Sequence, residues 1–192
     1  MNSKKKLLEK SGLYVIIDKE VWRRRPKFSD TKIKDLPVDI IQLRDKISDK
    51  ETVLKDALRL RRALSNTGII FIINDYLDIA RLIDSDGVHL GQDDLPIGIA
   101  RRLLGKDKII GVSCHSLKQA KSAEVQGADY ISIGPVFSTP TKPEYKPVGL
   151  GLIREISQKI KIPFFAVGGI NEKNIGKVLD AGAKRIAVCS LR

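Results

Sequence analysis

With 35 Lys and Arg against 23 Asp and Glu in 192 residues, the chain carries a formal charge of +12, and 42% of its residues are hydrophobic. This length and apolar content suit one domain with a substantial core and exclude a disordered chain; the longest unbroken aliphatic and aromatic run, the five residues Ile69–Ile73, excludes a membrane-spanning helix. The basic surplus attracts anions in general, from nucleic acid and acidic membrane to phosphorylated metabolites.

Lys4-Lys5-Lys6 has no apolar stretch behind it, so no signal peptide is expected, and Lys4–Lys10 suits a short helix before the first strand. That strand is predicted at Leu13–Asp18. Arg23-Arg24-Arg25-Pro26-Lys27 follows. Trp22 and Phe28 flank it, but no aromatics interleave with it, so it reads as solvated surface rather than as a platform for single-stranded nucleic acid. The segment up to the second strand has the weakest helical pattern.

Strands are then predicted at Val38–Leu43, Ile69–Asn74, Gly87–Leu90, Ile109–Ser113, Tyr130–Gly134, Phe164–Gly168 and Arg185–Cys189. They are apolar on both faces, as strands of a buried parallel sheet are. Amphipathic segments lie between them at Thr52–Leu64, Asp78–Ile83, Ile97–Leu104, Leu117–Gln126, Leu150–Ile160 and Glu172–Asp180. Ser116 before one helix and Gly127 after it suit an N-cap and a left-handed C′ residue, as do Asn171 (with Asn174 three on) and Gly182 for another. His89, between Val88 and Leu90, reads as an interior, hydrogen-bonded histidine. Cys114 and Cys189 have no metal-type spacing with each other or with His89 and His115. Small core thiols in a reduced, cytoplasmic setting are the simplest expectation.

Eight strands alternating with helices predict a single α/β domain over residues 1–192, a (β/α)8 TIM barrel. An open doubly wound sheet is the alternative, but the glycine-rich dinucleotide turn is missing after the first strand. The chain stops at Arg192, just past the eighth strand, so the expectation is a short barrel without the C-terminal eighth helix, natural or truncated.

In such a barrel the site lies at the C-terminal strand ends. Strand two ends Gln42-Leu43-Arg44-Asp45-Lys46, strand three Asn74-Asp75-Tyr76, and strand four His89-Leu90-Gly91-Gln92-Asp93-Asp94. Strand five ends Ser113-Cys114-His115, strand seven Gly168-Gly169-Ile170-Asn171, and strand eight Cys189-Ser190. Strand six breaks at Gly134-Pro135, because proline cannot donate to a ladder. The loop Val136–Lys142 that follows offers Thr139, Thr141 and Lys142 to an anion, or is a solvated proline-rich loop. Arg44, Lys46 and Lys142 suit a polyanion such as diphosphate. Asp75 and Asp94 beside them suggest Mg2+, which takes a few carboxylates plus phosphate oxygens. Gly168-Gly169 before a helix suits a second, single phosphate. Each also has a plain reading: a surface ion-pair cluster for Arg44, Asp45 and Lys46, helix caps for Asp75 and Asp94, turn glycines for Gly168 and Gly169. Their joint placement on one barrel face favours a site.

These segments, with Gly87–Leu95, Gly111-Val112-Ser113, Gly127-Ala128-Asp129-Tyr130 and Ala166–Ile170, resemble in order the thiamine phosphate synthase family, over roughly Leu13 to Ser190. The resemblance implies a Mg2+-dependent transferase with two small-molecule substrates, a pyrimidine diphosphate and a thiazole phosphate, giving thiamine phosphate and diphosphate. It implies that diphosphate leaves first and the thiazole nitrogen captures a pyrimidine cation. It places Arg44, Lys46, Asn74 and Lys142 on the diphosphate and Asp75 and Asp94 on Mg2+. Ser113 falls beside the pyrimidine and diphosphate, and Gln42 near the reacting groups. Thr139, Thr141, Gly169, Cys189 and Ser190 surround the thiazole phosphate. Lys142, Ser113 and Arg44 are the candidate catalytic residues. No nucleic-acid or membrane partner is expected, and a homo-oligomer is left open. A thiazole tautomerase of the same superfamily, or a non-catalytic thiazole-phosphate binder, is the alternative.

Overall fold

A computed structural model describes residues 3–22, 36–139 and 145–189. Eight parallel strands close into a barrel in chain order: β1 (Leu13–Asp18), β2 (Ile40–Arg44), β3 (Ile70–Asn74), β4 (Gly87–Leu90), β5 (Ile109–Cys114), β6 (Tyr130–Ile133), β7 (Phe164–Val167) and β8 (Ile186–Val188). Closure is made by β1 against β8, with Tyr14 beside Ala187. The (β/α)8 expectation therefore holds. The described residues end at Cys189, one past β8.

Helices α1 (Ser3–Lys10), α2 (Lys19–Trp22), α3 (Lys50–Ala63), α4 (Leu77–Leu82), α5 (Ile97–Leu104), α6 (Leu117–Val125), α7 (Gly149–Lys159) and α8 (Ile175–Asp180) accompany the strands. None is long and apolar enough to cross a membrane. Local chemistry sets their starts. Asp49 caps α3 by accepting the Thr52 amide, and Ser116 caps α6 by accepting the Gln119 amide. Gly127 and Gly182, with φ of 87° and 98°, supply the left-handed residues after α6 and α8. The last helix begins at Ile175, later than its apolar pattern suggests. A capping turn precedes it: the Asn174 side chain accepts the Asn171 amide at 2.8 Å, the Asn171 side chain accepts the Lys173 amide at 2.9 Å, and the Ile175 amide donates to the Asn171 carbonyl at 2.9 Å. These are reciprocal capping bonds, as the Asn171 and Asn174 spacing suggests, and regular helix follows from Ile175. β2 and β8 also start later than their apolar runs, at Ile40 and Ile186.

Alternation along the strands separates two cores. Val15, Ile41, Phe71, Ile73, Val88, Ile110 and Ile131 pack outward under the helices. Tyr14, Ile40, Ile70, Ile72, Ile109, Tyr130 and Phe165 fill the barrel itself, and Leu8 of α1 joins them. α1 is fastened there by Lys4 to the Ile69 carbonyl at 3.1 Å and Lys5 to Asp129 at 2.7 Å. Inside the barrel space is tight. Gly111 of β5 has no side chain because the ring of Tyr130 occupies that volume.

Candidate active site

At the C-terminal mouth of the barrel lies a pocket with about 710 Å³ of space free of protein atoms, its opening included. Strands β1 to β6 each deliver at least one polar side chain to it, Asp18, Gln42 and Arg44, Asn74, His89, Ser113 and Ser132, and Cys189 enters it directly after β8. The cause is topological, because parallel strands all present their C-terminal ends on the same face.

Arg44 is the firmest cation of this set. It ends β2 and is ion-paired to Asp18, which ends β1 directly beside it in register and is 1% exposed. The other Asp18 oxygen accepts the Glu20 amide at 3.0 Å, so one carboxylate opens α2 and holds the guanidinium. An Arg fork held on one side still offers donors on the other. Asp18 lies outside the polar strand ends expected from strands two to eight. The same strand-end rule applied to β1 finds it.

Asp75 and Asp94 come together from neighbouring strand ends. Asp75 follows β3 with φ of 61°, and its amide donates to the His89 carbonyl of β4 at 2.9 Å. Burial pushes the Asp75 carboxyl above its ordinary range. Lys46, at 3.0 Å, opposes that, and the adjacent Asp94 carboxyl adds to it. A carboxylate whose ionisation is made costlier by a second carboxylate beside it invites a cation. Asp94 also accepts the Gly91 amide at 2.6 Å, which closes its loop. Among the described residues no three His, Cys, Asp or Glu gather into a closed metal cage. A pair of carboxylates is nevertheless the usual protein contribution to Mg2+, which keeps waters and takes phosphate oxygens.

The remaining residues are distributed unevenly. Asn74 is buried at the end of β3 and lines the pocket, as do Gln42, Ser113, Thr139 and Cys189. Lys46 is exposed, with its ammonium on Asp75 rather than in the pocket wall. Gly168 and Gly169, at φ of 94° and 66°, let the end of β7 lie against the loop after β6. A Cβ on Gly168 would stand 2.5 Å from Pro135, and one on Gly169 2.6 Å from the Ser138 carbonyl. The helix expected directly behind these glycines begins only at Ile175, so its N-terminus is not adjacent to them. The Gly169 carbonyl instead accepts the Asn174 side chain at 2.9 Å. Thr141, Lys142 and Ser190 lie outside the described residues.

His89 is interior and hydrogen-bonded, as its apolar neighbours suggest, between Tyr130 and Ser113. His115 donates through Nδ1 to the Gly134 carbonyl at 2.5 Å and stacks on Tyr145 at 4.7 Å between ring centres. Burial pushes the Cys114 thiol up to about 12, which removes it as a nucleophile at neutral pH.

The model of the family described as thiamine monophosphate synthase matches residues 13–191. Thiamine-phosphate synthase of Shouchella clausii is 52% identical over 152 residues, covering 79% of this chain and 73% of that protein. The Syntrophomonas wolfei thiamine-phosphate synthase is 42% identical over 181 residues, covering 93% and 87%. Among solved structures, thiamine phosphate pyrophosphorylase from Pyrococcus furiosus superposes with a TM-score of 0.84 at 36% identity, covering 96% of this chain and 88% of that one. An HpcH/HpaI aldolase from Desulfitobacterium hafniense, at 12% identity and a TM-score of 0.64, shares the fold alone. The matched span takes in every strand of the barrel and the polar residues at their ends, and on that ground the chain belongs to the thiamine monophosphate synthase family.

Proposed function

We propose that the chain is a transferase that joins 4-amino-2-methyl-5-(hydroxymethyl)pyrimidine diphosphate to a thiazole phosphate, releasing diphosphate and forming thiamine phosphate, with Mg2+ held by Asp75 and Asp94. The observation that carries this reading is the meeting of a fastened cation, Arg44 on Asp18, and a carboxylate pair, Asp75 with Asp94, at the barrel mouth that also holds Asn74, Ser113 and Thr139.

The chemistry needs negative charge stabilised on a leaving diphosphate. Arg44 meets it with a guanidinium fixed before substrate arrives, so little reorganisation remains at the moment of bond breaking. Asn74 on β3 and Ser113 on β5, on either side of β4, add neutral donors. Bound Mg2+ would supply further charge on the phosphate oxygens. Gln42 and Ser132 hold the pyrimidine end of the pocket, and Thr139 and Cys189 border the thiazole phosphate. Lys142, Thr141 and Ser190 complete these contacts by family resemblance. Capture of a carbocation by a ring nitrogen requires no general base. Cys114 and Cys189 are not joined in a disulfide, which accords with a reducing, cytoplasmic setting. Small molecules are the proposed partners, with neither nucleic acid nor membrane among them.

The test supplies both substrates with Mg2+ and measures thiamine phosphate and diphosphate together. Stoichiometric release of both is expected. Absence of product, with the thiazole isomer alone being tautomerised, would replace this reading by the tautomerase.

A further inference from the structure

Five polar side chains from five strands form one continuous line across the barrel. Gln42 Nε2 lies 2.7 Å from the Tyr14 hydroxyl, Tyr14 lies 2.8 Å from the Tyr130 hydroxyl, and Tyr130 lies 2.9 Å from His89 Nδ1. His89 Nε2 is then 3.0 Å from Ser113 Oγ and 3.3 Å from Ser132 Oγ. Gln42, Tyr14, His89 and Ser113 all border the pocket, while Tyr130, which links them, is fully buried in the core. We propose that Tyr14, Tyr130 and His89 are positioning residues that lock this line into one polarity, so that Ser113 turns its hydroxyl proton, and Gln42 its carbonyl oxygen, toward the substrate. The proposal rests on the reading of this pocket as the pyrimidine diphosphate site.

The polarity follows from counting protons. Tyr14 and Tyr130 are essentially fully buried, and burial keeps both phenols protonated. Each has one proton and two partners, so each donates once and accepts once. Gln42 gives an N–H to Tyr14. Tyr14 then gives its proton to Tyr130, and Tyr130 gives its own to His89 Nδ1. A neutral His89 therefore carries its proton on Nε2 and donates to Ser113. A cationic His89 would donate to Tyr130 and leave the Tyr14 proton buried without an acceptor, which is costly. Ser132 also donates to Ser113, at 3.4 Å. With both lone pairs of Ser113 engaged, its proton is left for the pocket, where a leaving diphosphate presents only acceptors. Reversing the line requires Gln42 to turn its amide round, and it would present lone pairs of Ser113 to an anion. The bare α-carbon of Gly111 makes room for the Tyr130 ring within the barrel.

The chain contains two histidines, which makes the test clean. Full-length protein labelled with 15N-histidine is examined by long-range 1H–15N correlation at neutral pH, and the His115→Asn spectrum assigns the rings. His89 is expected protonated on Nε2 with Nδ1 bare, and His115, which donates from Nδ1, the opposite way. In Tyr130→Phe the ring is kept and the relay cut. His89 should lose its single tautomer, and kcat should fall about tenfold while KM stays within about twofold. Tyr14→Phe, one step further out, should move both readouts the same way by less. A merely structural role would lower Tm and leave the His89 nitrogens and kcat at assay temperature unchanged. That result, or a wild-type His89 protonated on Nδ1, overturns the proposal. If the wild-type chain makes no thiamine phosphate, the proposed reaction falls separately, and the tautomer still decides the relay.

Discussion

At the scale of single residues, the carboxylates of the mouth have distinct duties. Asp18 fastens Arg44, and Asp75 and Asp94 stand side by side as the proposed Mg2+ ligands. Asp45 does something else: it is buried, and its Oδ1 closes the turn after β2 by accepting the Ile47 and Ser48 amides at 3.1 and 3.0 Å. Burial pushes Asp45 up, but its bonds to Ser48 and Ile47 and the field of Lys19 together hold it below the ordinary carboxylate range. The unfolded chain then binds a proton more readily than the folded one, so stability is lost as pH falls from about 5 through the acid range. Urea titrations at several pH values should show Asp45→Asn less stable at neutrality and less steeply dependent on acid. For Asp94 the informative change is Asp94→Asn, because an amide oxygen can still accept the Gly91 N–H. Turnover should drop about 100-fold with the loss of a charged ligand at the diphosphate, while Tm moves by no more than about 2 °C, as for a loop substitution that keeps its bond. A large Tm loss with unchanged turnover would make Asp94 a structural cap only.

At the scale of elements, strand ends do the positioning and strand interiors set the limits. β5 shows both. Ser113 sits near its C-terminal end in the pocket, while Gly111, two residues earlier on the same face, yields its volume to Tyr130. Gly111→Ala would drive a methyl group into that ring and should cost about 1–3 kcal/mol, the range of overpacked cores, measured by denaturant unfolding. The elements also show how far sequence pattern reaches. The apolar runs locate every strand to within two residues, because burial on both faces demands unbroken Val, Ile and Leu. α8 starts three residues later than its apolar pattern, at Ile175, behind a turn that Asn171 and Asn174 cap with side-chain bonds as their spacing suggests.

At the scale of the whole molecule, the Mg2+ proposed above would serve the chemistry and not the folding. The cores of the barrel are apolar and continuous, and the carboxylate pair lies outside them at the mouth. Chelation with EDTA should therefore abolish turnover, restored by added Mg2+, with the far-UV circular dichroism spectrum and melting curve of the substrate-free protein unchanged. A collapse of the fold on chelation would contradict this division.

Much of this was legible along the chain. Eight apolar runs separated by amphipathic segments, in that order, predict a parallel sheet of eight strands, and parallel strands all put their C-terminal ends on one face. Arg44, Asn74, Asp75, Asp94 and Ser113 were thereby marked as neighbours although far apart in sequence. What local pattern does not contain is which side chains meet across the interior. Tyr14 and Tyr130 touch over a separation of 116 residues, and Asp18 meets Arg44 only because β1 and β2 pair in that register. Hydrophobic periodicity reports that a strand is buried. Whether a polar group on it finds a partner depends on register and closure, which exist only once all eight strands have come together.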